Sequence, residues 1–456
     1  MSYIASFQKT GRTPRLSPKR ENVIELVVIL TAFIAVNVVC CVFQNLNSLN
    51  GGKGSDGVIY YAVAEQLSKG FVPKASAPSV YRIGTPLLAA LLSDALGTDL
   101  ILSFKIINIV GNLITVVLLA LWLRRHLHNV IVRMIMVLLF VTQWHSPVRF
   151  VHFYPVYVDP LSFTFLLAGL LLIHSFVARP KLLTTCCLSA LSFTGVMFKE
   201  IVFVIPLALL FSTNFLIGEG DLFLQSASLW FVRALKKFTP RLVLPLICGA
   251  AGLVTVRFIG LGTGDISFLR EAFKHAYSTP ILGYLTAWFI TFGPVIVLAI
   301  YDWRRNLLFL RDQQHLLIYL ASFAVLALAG YRDTERVLYW AMPVVYVLVG
   351  RSMQNLSGLL TVRLISVLAV AQLISQRAFL SIADPTLTPT FAPHALIPAS
   401  LKSLLSYCNM WSCFCDPRVL YIYLFLYLSV ALLTILWLSR NARRQLMPFG
   451  SSPKAA

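Results

Sequence analysis

Residues 23–43 read VIELVVILTAFIAVNVVCCVF, an apolar run interrupted by a single acid. A helix of this length crosses about 30 Å of hydrocarbon. The run is too long for the apolar core of a removable signal peptide and lacks a small-residue cleavage site, so it predicts a retained membrane anchor. Comparable apolar runs recur along the chain as far as residue 439.

The composition indicates the same class of protein. Hydrophobic residues make up 58% of the 456-residue chain and charged residues only 12%. Soluble globular domains carry roughly twice that charged fraction. Because lipid offers no partner for backbone hydrogen bonds, the apolar runs predict helices. We therefore predict an all-α polytopic membrane protein with about twelve transmembrane helices.

The basic residues orient these spans, because Lys and Arg concentrate in cytoplasmic loops. They predict cytoplasmic tails at 1–22 and 440–456 around a single transmembrane domain at 23–439. The predicted spans are 23–43, 100–123, 130–144, 160–178, 182–198, 201–217, 241–260, 282–301, 315–330, 336–350, 358–376 and 419–439. The predicted external segments are 44–99, 145–159, 199–200, 261–281, 331–335 and 377–418.

The chain carries a net charge of +20, from 38 basic and 18 acidic residues. In a soluble protein this excess would suggest nucleic acid. Here the basic residues cluster in the predicted cytoplasmic tails and loops, where they also meet anionic headgroups. No basic groove interleaved with aromatic residues is visible. We expect membrane lipid, and not nucleic acid, as a partner.

The eight cysteines fall into two groups. Five lie within apolar runs, where a thiol behaves as a small hydrophobic group. The other three share the predicted external segment 377–418, where one disulfide with one thiol left over is possible in an oxidising compartment: Cys408, Cys413 and Cys415. Their spacing matches no standard zinc ligand set.

The first external loop, 44–99, contains SDGVIYYAVAEQL at 55–67 and YRIGTPLL at 81–88. Apolar residues at helical spacing predict a helix over 57–69 that lies in the membrane interface with one face in lipid. A second apolar stretch, 86–96, is too short to cross the membrane.

Four groups of residues resemble the membrane glycosyltransferases with the GT-C fold, which include aminoarabinose and protein mannosyl transferases. The first group comprises Asp56, Tyr60, Ala64, Leu67, Gly70, Tyr81-Arg82 and Pro86. The others are Tyr157-Val158-Asp159-Pro160, Phe198-Lys199-Glu200 with Pro206, and Arg332-Asp333-Thr334-Glu335-Arg336 with Pro343. The resemblance covers the first two thirds of the chain.

The resemblance implies transfer of a sugar from a polyprenyl phosphate donor at the outer membrane face to a glycan, lipid or protein acceptor. Such chemistry needs a base for the acceptor hydroxyl and cations for the leaving phosphate. Asp56 is the candidate base, and Asp159 the candidate for positioning substrate. Many members of the family carry a second acid directly after the first; here that residue is Gly57. We therefore assign no metal, and no cofactor.

The candidate phosphate-binding cations are Arg82, Lys199, Arg332 and Arg336. A guanidinium can bind two phosphate oxygens in a fixed geometry, but an interfacial arginine also extends toward lipid headgroups. Lys199 and Glu200 are isolated between apolar runs and could instead neutralise each other. Arg332 and Arg336 are four residues apart and would share one helical face, although a salt-bridged loop is also open.

The two candidate acids could also have purely structural roles. Asp56 could cap the helix that begins at Gly57. Asp159 could cap the next helix, or hold Arg149 or His152. The candidate substrate-binding residues are Tyr60, Tyr81, His152, Tyr157 and Glu200, but aromatic residues at an interface are commonly membrane anchors.

The sequence shows no P-loop, dinucleotide fingerprint, metalloprotease motif or nucleophile elbow. The competing hypothesis is a polytopic transporter or lipid flippase, in which the same charges would form a substrate path. Against it, no internal repeat is evident and the charges cluster on one predicted face. We expect a multi-pass protein of a bacterial inner membrane, with its site facing outward and both termini in the cytoplasm.

Overall fold

The computed structural model describes residues 18–143, 146–210, 239–263, 281–329, 334–378, 382 and 417–446, and helices dominate these ranges. In chain order the helices are α1 (Pro18–Phe43), α2 (Gly57–Ser68), α3 (Gly84–Leu96), α4 (Leu100–His126), α5 (Val130–Thr142), α6 (Pro147–Phe153), α7 (Asp159–Ala178), α8 (Leu182–Phe198), α9 (Val204–Leu210), α10 (Pro240–Ile259), α11 (Ile281–Phe292), α12 (Ile296–Tyr301), α13 (Trp303–Asp312), α14 (Gln314–Ala329), α15 (Thr334–Tyr339), α16 (Met342–Asn355), α17 (Val362–Ser375) and α18 (Pro417–Leu446). Two 3₁₀ turns, Ser79–Tyr81 and Glu200–Phe203, and two strands, β1 (Lys74–Ser76) and β2 (Leu261–Thr263), complete the described elements.

The predicted fold class is confirmed: the chain is an all-α multi-pass membrane protein. Within the described ranges, six helical segments are long and apolar enough to cross a membrane, and six shorter apolar helices accompany them. The long segments are Glu21–Phe43, Leu100–His126, Val130–Phe153 (which includes α5, α6 and two residues outside the described ranges), Asp159–Ala178, Pro240–Ile259 and Tyr421–Arg443. The number of spans, about twelve, stays a prediction.

Two predicted spans are broken in the structure. The run 282–301 divides into α11 and α12 because Gly293 adopts a φ of +74° and Pro294 has no N–H. Carbonyls of the broken turn accept glutamine amide N–H groups instead: Ile290 from Gln376 at 3.1 Å, Thr291 from Gln143, and Phe292 from Gln372 at 3.0 Å. Backbone groups that lipid could not satisfy are therefore satisfied by α5 and α17. The run 336–350 is likewise divided, between α15 and α16.

A buried ion cluster holds the N-terminal helix in the bundle. Glu25 of α1 is fully buried and accepts hydrogen bonds from Arg133 Nε at 2.9 Å and Arg133 Nη2 at 2.8 Å. Arg124 Nε of α4 lies 3.1 Å from the same carboxylate. The single acid of the first apolar run is thus paired inside the protein, as an acid in a membrane span must be.

The segment 44–99, predicted to be external, packs on the bundle through short elements. Helices α2 and α3 contact each other, and β1 pairs in parallel with β2, which follows α10 directly. Gly54, at φ +73°, lies so close to the Tyr154 ring that a side chain would overlap it. These contacts bring the start of α2 against the segment between α6 and α7.

Candidate active site

Asp56 immediately precedes α2. Its backbone carbonyl accepts from Ile59 N at 3.0 Å and Tyr60 N at 3.3 Å, but its side chain makes no capping hydrogen bond. The side chain is half-buried, and it forms no hydrogen bond or ion pair with any residue in the described ranges. The hypothesis that Asp56 acts as a side-chain cap is therefore wrong, and the carboxylate has no structural partner there.

Arg82 is held by two partners. Its Nε and Nη2 donate to the Glu200 carboxylate at 2.9 Å and 2.5 Å, and its Nη1 donates to the Tyr60 hydroxyl at 2.7 Å. The Arg82 side chain is 11% exposed and the Glu200 side chain 40%. Arg82 is thus not an interfacial arginine extended toward headgroups but a side chain fixed between α2 and the 3₁₀ turn at 200–203.

Tyr60 connects this group to Asp56. Burial raises the pKa of the Tyr60 phenol, and the charges of Arg82, Asp56 and Arg336 also act on it. The phenol therefore stays protonated at neutral pH. Arg82 contacts the Tyr60 hydroxyl directly, and Asp56 and Arg336 are near enough for their charges to act on it.

Asp159 and Lys199 form a second, deeper pair. Lys199 Nζ donates to Asp159 Oδ1, and each side chain is only 1% exposed. Arg336 Nε lies 3.8 Å from Asp159 Oδ2, and the Trp340 ring centroid lies 4.1 Å from Lys199 Nζ. A buried carboxylate is thus balanced by a lysine, an arginine and the face of an aromatic ring.

The hypothesis that Lys199 and Glu200 neutralise each other is wrong. Lys199 has extended backbone angles between α8 and the 3₁₀ turn, so consecutive side chains point to different sides. Lys199 pairs with Asp159 and Glu200 pairs with Arg82. The two residues join the two groups of charges into one site.

No protein-family model matches the sequence, and no curated protein sequence does. Among solved structures, ArnT from Cupriavidus metallidurans bound to undecaprenyl phosphate is similar, with a TM-score of 0.51 and 12% identity over 94% of this chain and 79% of that chain. The chain has the GT-C fold. The oligosaccharyltransferase of Archaeoglobus fulgidus, tethered with an acceptor peptide, has a TM-score of 0.44 and 12% identity over 93% of this chain. This chain spans 56% of the length of that structure.

The GT-C resemblance seen in the sequence is therefore confirmed for the fold. Three of the four sequence groups that carried the resemblance lie wholly within the described residues. They contribute Asp56, Arg82, Asp159 and Lys199-Glu200 to the candidate site. The fourth group contributes Arg336 of α15. Arg332 lies outside the described residues, so a shared helical face with Arg336 stays a prediction.

The resemblance to GT-C enzymes fails at Gly57, where the structure leaves no room for a side chain. Gly57 N donates to the Tyr154 hydroxyl at 2.5 Å. A Cβ at position 57 would lie 2.6 Å from the Val156 carbonyl oxygen and 2.9 Å from the Tyr154 ring. Tyr154 thus occupies the space that a second acid would need. Among the described residues, no group of three His, Cys, Asp or Glu side chains could hold a metal ion.

The alternative in which Asp159 pairs with Arg149 or His152 is wrong. Arg149 donates to backbone carbonyls of Thr142, Gln376 and Arg377, and His152 Nε2 lies 3.0 Å from Asn37 Oδ1. His152 therefore packs toward α1. Capping of α7 by Asp159 is also not seen, because Val158 is the residue at the cap and Asp159 pairs with Lys199.

The predicted aromatic residues divide between the site and its support. Tyr157 is buried next to Asp159; burial and that negative charge raise the pKa of its phenol. Tyr81 lies beside Gly262 of β2, with the Arg257 guanidinium 5.9 Å from its ring, and so packs toward the end of α10. Trp340 was not predicted from the sequence. No charge or spacing distinguishes it from the other aromatic residues of the spans.

Proposed function

We propose that this chain is an integral-membrane glycosyltransferase that moves a sugar from a polyprenyl-phosphate-linked donor to an acceptor hydroxyl at the external membrane face. The observation that carries the proposal is Asp56. It is a half-buried carboxylate without a structural partner among the described residues, beside a site in which Asp159 and Glu200 are each engaged by cations. A general base needs a lone pair that no cation occupies.

In this proposal Asp56 accepts the proton of the acceptor hydroxyl as its oxygen attacks the anomeric carbon. The bond from that carbon to the phosphate oxygen breaks, and the phosphate takes the electron pair. If the acceptor attacks from the side opposite the phosphate, the anomeric configuration inverts. The acceptor oxygen, the anomeric carbon and the leaving phosphate oxygen must therefore lie nearly in line, with the base beside the acceptor oxygen.

Arg82 and Arg336 are the cations proposed to stabilise the leaving phosphate. A guanidinium has five N–H groups, and Glu200 and Tyr60 engage three of those of Arg82. The other two are available for phosphate oxygens. Glu200 and Tyr60 thus fix the orientation of Arg82 before the donor arrives, which is what preorganised electrostatic stabilisation requires.

Lys199 has a different part in the proposal. Its ammonium group is buried against Asp159 and Trp340, so we propose that it positions Asp159 and the α7 terminus and does not itself bind phosphate. Asp159 would then orient the acceptor through the edge of its carboxylate that faces Arg336. The expected partners are a lipid-linked sugar phosphate and an acceptor glycan, lipid or protein.

The location also belongs to the proposal. Arg124, Arg125 and His126 end α4, whereas its first residue follows the loop that carries Asp56. The positive-inside rule then places the site outside, with both termini in the cytoplasm. We propose a bacterial inner membrane.

The test is a comparison of Asp56→Asn with Glu65→Gln. Glu65 lies on the same helix, 49% exposed and in an ion pair with Lys69, so its variant controls for loss of an acid on α2. Both proteins are purified into nanodiscs with the native lipid extract, and co-purifying polyprenyl phosphate sugars and their transfer products are measured by mass spectrometry. We expect Asp56→Asn to insert and to retain the donor lipid, but to transfer at least about a hundredfold more slowly.

Full transfer by Asp56→Asn would refute the role of base. Movement of the lipid between leaflets by the wild type, without formation of any glycosidic bond, would refute the enzyme and support the flippase hypothesis.

A further inference from the structure

A cavity of about 620 Å³ lies between α17 and α18, apart from the candidate active site. One wall is apolar, formed by Leu433, Leu436 and Trp437 of α18. Arg363 of α17 and Arg440 of α18 provide the positive charge, and none of the residues that line the cavity is acidic. The cavity therefore combines an apolar wall with two cations that no residue of its lining compensates.

Hydrogen bonds at one end of the two helices hold this cavity in shape. Asn441 Nδ2 donates to the Leu359 carbonyl at 3.1 Å, and Gln445 Nε2 donates to the Gly358 carbonyl at 2.8 Å. The Thr361 side chain caps α17 by accepting from Leu364 N. The arginines are thus placed on two helices that are fixed to each other, and not on a loop.

The cavity is at the opposite end of α17 from the candidate active site. The carbonyls of Gln376 and Arg377, just after α17, accept from Arg149 of α6, the helix that leads to Tyr154. Helix α17 has 14 residues and is therefore about 20 Å long. Arg363 lies at its other end, which the orientation proposed above places at the cytoplasmic interface.

We infer that this cavity binds an anionic phospholipid of the cytoplasmic leaflet. The phosphodiester lies between Arg363 and Arg440, and an acyl chain packs along Leu433, Leu436 and the Trp437 indole. The chemistry of the lining supports this occupant: the leucines are 66% and 56% exposed in a protein whose surroundings are lipid, and the indole sits beside the cations, at the depth where tryptophan meets headgroups. Basic pockets between membrane helices on the cytoplasmic side are sites for anionic headgroups.

The test uses native mass spectrometry of the full chain in detergent, titrated with phosphatidylglycerol or with phosphatidylcholine of the same acyl chains. We expect the wild type to bind phosphatidylglycerol more tightly. The double variant Arg363→Gln/Arg440→Gln should bind it about tenfold more weakly or worse, because two cations near the surface are removed. The control double variant, Arg179→Gln/Arg443→Gln, removes two exposed arginines of the same predicted face that do not line the cavity, and should bind as the wild type does.

A second measurement does not depend on the charge of the protein. Brominated phosphatidylglycerol should quench tryptophan fluorescence in the wild type, and Trp437→Phe should lose that part of the quenching. Equal binding of the two lipids, an unaffected Arg363→Gln/Arg440→Gln variant, or quenching that persists in Trp437→Phe would overturn the inference. So would phosphatidylglycerol binding that appears only after residues 447–456 are removed, because the cavity would then hold the chain's own tail.

Discussion

Replacing Lys199 by Met tests how much the buried Lys199–Asp159 ion pair contributes to stability, separately from its contribution to sugar transfer. Asp159 is 1% exposed, so without Lys199 its carboxylate loses its nearest cation in a place that water does not reach. Breaking a buried ion pair costs about 3–5 kcal/mol in general. Arg336 remains 3.8 Å from the other carboxylate oxygen, so we expect the lower end of that range. A loss of about 3 kcal/mol lowers the ratio of folded to unfolded protein by roughly a hundredfold.

The double variant Asp159→Asn/Lys199→Met removes both charges and should recover most of this stability. The assay is unfolding of the wild type, both single variants and the double variant in the same nanodiscs, followed by sugar transfer for each folded protein. A Lys199→Met protein as stable as the wild type, or a double variant whose loss is the sum of the single losses, would refute the pairing. Recovered transfer in the double variant would refute a role for Asp159 in positioning substrate.

Two further predictions concern the support of the site. Gly57→Asp should destabilise the loop 44–99 by about 1–3 kcal/mol and lower transfer, because its Cβ would overlap Tyr154 and the Val156 carbonyl. Limited proteolysis of the loop measures this loss of stability. The control is Gly358→Ala, at a position with room for a methyl group. Arg133→Leu should destabilise the protein by about 3 kcal/mol because Glu25 is fully buried, whereas Arg124→Gln, at a side chain 28% exposed, should cost less than about 1 kcal/mol. Equal losses in thermal unfolding of these two variants would contradict the second prediction.

Much of the fold could be predicted from residues alone, because hydrophobic length determines where a chain can cross a bilayer. The run at 23–43 and the run at 100–123 are helices over almost the predicted residues. The Gly293-Pro294 pair is a break signal that the sequence does carry, but hydrophobic length alone does not show that the chain breaks there or between α15 and α16. What permits the first break is a set of glutamines on other helices, and only tertiary structure brings these to the exposed carbonyls.

The charged residues of the candidate site were predicted, but their pairing was not, and neither was the contact of Trp340 with Lys199. Position in the sequence suggested that Lys199 would pair with its neighbour Glu200, since adjacent charges are the simplest partners. Side-chain direction decides otherwise, because an extended residue and the first residue of a 3₁₀ turn point apart. The result is a crossed arrangement, in which Lys199 pairs with Asp159 of α7 and Glu200 pairs with Arg82 of the loop 44–99.

This crossed arrangement is the reason to prefer Asp56 as the base over the other acids. A carboxylate that accepts from a buried lysine, as Asp159 does, or from a bidentate arginine, as Glu200 does, would have to lose those bonds in order to take a proton. Asp56 loses nothing, because no described residue binds its side chain. The sequence pattern alone makes Asp56 the candidate base, but it does not show that cations engage Asp159 and Glu200. In the proposed function, the pairing of Asp159 and Glu200 leaves Asp56 for the chemistry, and the contact with Glu200 fixes the orientation of Arg82 before a phosphate arrives.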